Sequence, residues 1–240
     1  DQYIALFHDR RFLHALGVTG IFVLVGLPIT MVIALAFAVA LNKGSKHLNA
    51  FFRAVFYAPV VASVVAVSVV WRYILQKDGL LNSLLAVFGI AGPDWLHDTR
   101  YALPALMVMT IWRNMGTLMI IFLAGLQAIP EDMLEAAKID GANGWHILWN
   151  ITIPTVMPSI TICTFLSLTN GFKLYDQNLA LTNGAPSNMS EGLAMNITRT
   201  FYGRMGWEGV GQAKAVLFFI LVAIVALIQN KLTTSKEVEA

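Results

Sequence analysis

Two groups of polar residues stand where the surrounding sequence is apolar, and both carry side chains suited to a hydroxylated ligand. The first is Trp112, Arg113 and Asn114 in "MTIWRNMGTLM". A charged residue within a membrane span costs roughly 2.5–3.5 kcal/mol at the helix centre on insertion scales, so it normally faces a cavity or a partner. Arg113 and Asn114 are therefore expected to point inward and line a substrate path, with Trp112 beside them as an aromatic ring. A structural hydrogen bond between helices is the alternative, as is an Arg113 nearer the outer boundary. The second group lies in "LTNGFKLYDQN". At helical spacing Asn170, Lys173 and Gln177 share one face, and Asp176 lies within pairing reach of Lys173. Asn170, Lys173, Tyr175 and Asp176 offer paired donors and acceptors plus an aromatic ring, and are expected to line the same path. An ordinary membrane-interface belt with a surface Lys–Asp pair is the competing interpretation.

Other chemistries find little support. The five histidines (His8, His14, His47, His97, His146) are scattered and show no HExxH or Cys/His spacing, so no metal site and no cofactor are expected. The single cysteine, Cys163, lies in an apolar run and reads as a packing residue. No GxxxxGK[ST] loop occurs, so the chain is not expected to bind ATP itself. No Lys/Arg run or aromatic-basic interleaving suggests nucleic acid. The Asn188-Met189-Ser190 and Asn196-Ile197-Thr198 sequons read as chance. A membrane-embedded enzyme would place His, Asp and Ser clusters within its spans, and none is present. A stand-alone secondary transporter or channel, the alternative function, would call for an internal repeat and a buried acid; neither is visible.

The elements that must hold these residues are membrane helices. Of 240 residues, 57% are hydrophobic and only 12% charged, about half the charge of an ordinary soluble domain. Five segments are long and apolar enough to span: about 14–41, 54–75, 101–126, 155–175 and 211–232. Pro28 interrupts the first, which membrane helices tolerate. The connection from 76 to 100 is partly apolar and is expected to hold a short interfacial helix. The tail after 232 is polar and is expected to be mobile. Counting positive charges on alternate sides leaves Lys43, Lys46, Arg53, Lys138, Lys231 and Lys236 against Arg10, Arg11, Arg72, Lys77, Arg100, Arg199 and Arg204. That near-balance does not orient the chain. The chain begins at Asp1 with no signal-peptide pattern, and an N-terminal piece is expected to precede it.

Between the third and fourth apolar runs lies "QAIPEDMLEAAKIDGANGWHILWNITIP". Pro130 suits a helix's first turn, where its missing N–H costs nothing. Glu131 and Asp132 favour the positive end of the helix dipole. Gly141 is the residue expected just past a helix end, and Asn143-Gly144 signals a turn. A first helix of about 11 residues is ~16 Å long, too short to cross. "WHILWNI" makes a second short element, and Pro154 and Pro158 bracket the return into the membrane. Physically the loop is either an interfacial turn without a partner or a docking element.

At this point a family resemblance becomes specific. Glu135-Ala136-Ala137, Asp140-Gly141-Ala142, Ile151 and Ile153-Pro154 resemble the "EAA" loop of permease subunits of binding-protein-dependent ABC importers. The stretch from Thr169 through "YDQNLALTNGAPSNMSEGLAMNITRTFYGRMGWEG" resembles the sugar-importing branch, multiple-sugar and maltose-type permeases in particular. The resemblance covers nearly the whole chain, with Ile153 where Leu is commoner. It implies an all-α polytopic bundle of the type I importer permease fold. One permease domain would occupy 1–240, with five spans here and six expected in full-length members. It implies that the loop at about 127–154 is cytoplasmic and docks on an ATPase subunit, with Glu135, Ala136, Ala137, Asp140, Gly141 and Pro154 as the coupling residues. Residues 42–53 and the C-terminus would then also be cytoplasmic, with 1–13, 76–100 and 176–209 outside a bacterial plasma membrane. The implied partners are a second permease subunit, ABC ATPase subunits and an extracytoplasmic substrate-binding protein. The implied cargo is an oligosaccharide-type sugar, with glycerol phosphate fitting as well.

Overall fold

The computed structural model describes the backbone of residues 2–42 and 46–235. Lys43 of the charge count and the tail from Lys236 onward lie outside the described residues, as does the side chain of Lys46. Among the described residues all regular structure is helical. In chain order the helices are α1 (Gln2–His8), α2 (Arg10–Asn42), α3 (Lys46–Val61), α4 (Val64–Leu75) and α5 (Leu80–Val87). Then come α6 (Ala102–Gln127), α7 (Glu131–Ile139), α8 (Gly144–Thr155) and α9 (Met157–Phe172). The chain closes with α10 (Asp176–Leu181), α11 (Leu193–Gly203) and α12 (Glu208–Thr234).

Three of these, α2, α6 and α12, are long and apolar enough to cross a membrane unbroken. The remaining two expected spans are bent. The second, expected as one run over 54–75, breaks after α3, with a bend of 102° between Asn49–Val61 and the Val64–Val87 stretch that holds α4 and α5. Ser63 at the break is extended (φ −56°, ψ 129°), and Pro59 ahead of it removes one backbone donor from the last turns of α3. The fourth, expected over 155–175, bends by 67° between α8 and α9 and ends at Phe172. Pro158 starts a fresh helix there, tolerated in the first turn. The short interfacial helix expected in 76–100 is α5.

Pro28 leaves its mark on α2. A proline inside an α-helix lacks its N–H and clashes with the carbonyl four residues back. The helix widens over Phe22–Gly26 into a π turn just before it, which relieves the crowding. The same device recurs in α8, where a π turn over Leu148–Thr152 precedes Pro154.

The core runs along α6, whose span window is 56% buried against 33% for α2 and 17% for α12. Ala34, Ala38 and Leu41 of α2 pack against Met115, Met119, Phe122 and Leu126 of α6. The small alanines let the two backbones approach closely, the usual device of membrane helix pairs. The C-terminal halves of α2 and α6 thus sit at one end of the bundle, together with Val156. The start of α2 lies at the other end, where Phe12 and Ala15 pack against Leu193 and Ala213. Gly116 marks the α3–α6 crossing: a Cβ there would stand 2.2 Å from the Phe56 carbonyl oxygen.

Candidate functional site

The loop after α6 forms a capped, protruding helix. Pro130 sits at the N-cap (φ −60°, ψ 134°), one residue earlier than its sequence signature suggests, and Glu131 and Asp132 occupy the first turn. At the other end Gly141 adopts φ +80°, a conformation that favours glycine. Its N–H donates to the Lys138 carbonyl at 3.1 Å, and the Ala142 N–H donates to Ala137 at 2.9 Å. This pair of bonds is the Schellman closure, which satisfies carbonyls a helix end would leave orphaned. Asn143 then caps α8, its Oδ1 accepting from the His146 N–H at 2.9 Å.

α7 touches the bundle mainly through Leu134, which packs on the α2–α6 core. Glu135, Ala136 and Asp140 are exposed and Ala137 is half-buried. Ile139 is 86% exposed and Trp145 66%, large values for such side chains. Trp145 and Trp149 meet edge to face, 5.6 Å apart. A groove of about 460 Å³ runs beneath, lined by Ile129, Leu134, Lys138, Ala142, Ile147 and Leu148. The structure therefore brings Glu135, Ala136, Ala137, Asp140 and Gly141 together on one short projecting element. Pro154 lies apart, half-buried in the return helix α8.

The polar residues of the spans are arranged differently. Trp112 meets Trp71 edge to face at 5.5 Å. Both line an apolar recess of about 600 Å³ in the elbow of α3 and α4, with Ala58, Pro59, Ala62 and Val70. Asn114 turns to another hollow of about 20 Å³, shared with Thr30, Thr110 and Ser167. Arg113 lies between them, half-buried, its Nε enclosed with no hydrogen-bond partner. The trio thus divides between two faces of α6.

The face expected to unite Asn170, Lys173 and Gln177 does not form. α9 ends at Phe172 and α10 begins at Asp176, because Leu174 and Asn178 are drawn into the interior. The buried Asn178 side-chain amide donates to the Ser190 carbonyl. Asn170, Lys173 and Asp176 are exposed and Tyr175 is half-buried. No ion pair among the described residues joins Lys173 to Asp176.

A polar cluster that the spacing did not reveal lies at the start of α2 and α12. Lys214 is fully buried. Its Nζ donates to Asp9 Oδ2 at 2.7 Å, Asn196 Oδ1 at 2.8 Å and Thr200 Oγ1 at 2.8 Å. Burial pushes the Asp9 carboxyl up, but the Lys214 hydrogen bond and charge, the Arg11 N–H and Arg204 outweigh it, so the carboxyl is held below its ordinary range. Beside it Arg199 clamps the preceding loop, donating to Glu191 Oε2 at 2.7 Å and to the Asn183 carbonyl at 2.8 Å. A lysine inside an apolar run was the available signal; its acid lies 205 residues away.

Residues 3–236 match the sequence profile of the family described as binding-protein-dependent transport system inner membrane component. The chain is 34% identical over 238 residues to the "Probable starch degradation products transport system permease protein AmyD" of Thermoanaerobacterium thermosulfurigenes, covering 99% of this chain and 80% of that one. It is 31% identical to the multiple sugar-binding transport system permease protein MsmF of Streptococcus mutans, covering 99% and 81%. Among solved structures, a bacterial ABC transporter involved in the import of the acidic polysaccharide alginate superposes with a TM-score of 0.85. The likeness covers 98% of this chain and 83% of that one at 21% identity, and it bears on the fold.

Proposed function

We infer cargo and coupling from one established premise: the chain belongs to the family of binding-protein-dependent transport system inner membrane components. It is a membrane-spanning permease subunit of an ABC importer, with the all-α type I permease fold. The cargo we assign is an oligosaccharide-type sugar. The sugar-permease relatives, matched across nearly the whole chain, support that assignment.

The observation that carries the mechanism is α7, a nine-residue helix with an acidic first turn and a glycine-closed C-terminus, exposed between two spans. At ~13 Å it is too short to cross a membrane. Its packing through Leu134 ties it to the ends of α2 and α6, so force applied to it reaches the long helices. In our reading it docks on a separate ABC ATPase subunit, where ATP is hydrolysed. Loop 127–154 and the end of α12 then lie in the cytoplasm, and an extracytoplasmic binding protein delivers the sugar from the opposite side. A second permease subunit completes the pathway, facing the exposed Asn170, Lys173 and Asp176. ATP-driven closure of the ATPases shifts the bundle between two states by binding one better than the other.

Glu135→Lys in the assembled transporter tests this. Binding-protein-stimulated ATPase activity and sugar uptake are expected to fall by about tenfold or more, the scale of an ordinary coupling energy, while insertion and subunit assembly persist. Normal uptake by this variant would refute the coupling role.

A further inference from the structure

At the end of the bundle opposite loop 127–154, a crevice carries charge that the transport reading does not use. Two adjoining hollows of about 440 and 230 Å³ share Arg11, Asn188 and Glu191 as walls. Arg10 and His14 close one; Arg199 and Arg204 close the other. Glu191 is taken by Arg199, and Asp9 by Lys214 with Arg204 4.0 Å away. Four cations (Arg10, Arg11, Arg199, Arg204) and one acid (Glu191) line the crevice, a net charge of +3, while the buried Lys214 and Asp9 behind it offset each other. Arg10 and Arg11 have no carboxylate partner among the described residues. On the loop wall Ser187 (φ 50°) and Asn188 (φ 64°) hold left-handed conformations that non-glycine residues seldom adopt.

The surroundings are those of a membrane interface. Arg10 opens the first long apolar helix, and Arg204 lies just ahead of the last. Tyr202 is 82% exposed and Met205 98%, and Arg204 stacks over the Trp207 ring at 4.9 Å. Aromatic rings gather at this level of a bilayer. Down α2 from the cations runs an exposed apolar stripe of Leu13, Gly17, Ile21 and Leu24, which share a helix face. A Cβ placed at Gly17 or Gly20 would meet nothing within 4 Å, so the glycines leave a shallow trough along the helix.

We propose that this crevice binds the phosphate of an anionic phospholipid, with one acyl chain lying in the trough from Leu13 past Gly17 to Leu24. The continuity of cationic hollow and apolar trough favours a lipid over an acidic protein segment, which would leave the trough uncovered. The inference rests on insertion in the membrane and not on the cargo or on coupling.

The test uses the whole transporter in nanodiscs of phosphatidylcholine with and without phosphatidylglycerol, with retained lipid counted by native mass spectrometry. The unaltered complex is expected to prefer phosphatidylglycerol about tenfold or more, the scale of two arginines near an anionic headgroup. Arg10→Gln with Arg11→Gln is expected to abolish the preference. Gly17→Leu, which fills the trough and keeps the charge, is expected to reduce retention while binding of inorganic phosphate is unaltered. Assembly and melting temperature of both variants check that they fold. The proposal is overturned if the double variant keeps the preference. It is also overturned if inorganic phosphate displaces the lipid while Gly17→Leu has no effect, which would mark a free-anion site. Loss of binding-protein stimulation with lipid retention intact would assign the crevice to an acidic protein surface instead.

Discussion

Lys214 spends all three of its N–H donors inside the protein, on Asp9, Asn196 and Thr200. A buried ammonium is tolerable only when paired and hydrogen-bonded in this way. Removing one partner strands the other, at roughly 3–5 kcal/mol. Asp9 also sets a pH dependence. Its carboxyl is held below the ordinary range, so the folded protein binds a proton there less readily than the unfolded chain does. The stability contributed by ionised Asp9 is fully present above about pH 4, the unfolded value. It is lost as pH falls through the lower folded one. Asp9→Asn is expected to lower the melting temperature at neutral pH and to flatten its acid limb. An acid limb identical in variant and wild type would rule this out. At this scale the sequence was half legible. Lys214, a cation in an apolar run, was not among the expected site residues, and nothing local could name an acid so distant in the chain. Arg113 is half-buried with its Nε enclosed, and its separation from Asn114 follows from how α6 is surrounded.

Among the elements, α6 and α7 were readable because their signals are local. A long apolar run on both sides of Arg113 and Asn114 specifies α6; the acidic first turn and Gly141 specify α7. The breaks were not readable at Ser63 or at Lys173. Pro59 in "APVVASVV" marks a weak point in α3 but does not fix a 102° bend, and α9 stops where burial of Leu174 and Asn178 overrides helix continuity. The two π turns sit just ahead of Pro28 and Pro154, so the prolines were legible but not the manner of their accommodation. The α3–α6 crossing depends on Gly116, since a side chain there would meet the Phe56 carbonyl. Gly116→Val is expected to cost about 1–3 kcal/mol, the usual penalty of overpacking, read as a lower melting temperature of the detergent-solubilised complex. An unchanged melting temperature would show that the crossing relaxes without cost.

For the whole molecule, the proposed sidedness rests on docking of the loop, because the charge count is balanced. The single cysteine is buried, which gives a quiet background for labelling. Ile139→Cys is expected to react with an impermeant maleimide only when the cytoplasmic face is open, and Met205→Cys only from the outside. The reverse pattern would invert the topology. The Lys214–Asp9 bond joins the first turns of the chain to its last span across 205 residues. Ribosomes add about 5–20 residues per second, so roughly 10–40 s separate the synthesis of these two partners. During that interval Asp9 and its neighbouring arginines are at the membrane surface without their lysine. The Asp9 end of α2 therefore cannot reach its final state until α12 has been made. A chain that stalls before α12 is made leaves this crevice without the buried ammonium that fixes Asp9.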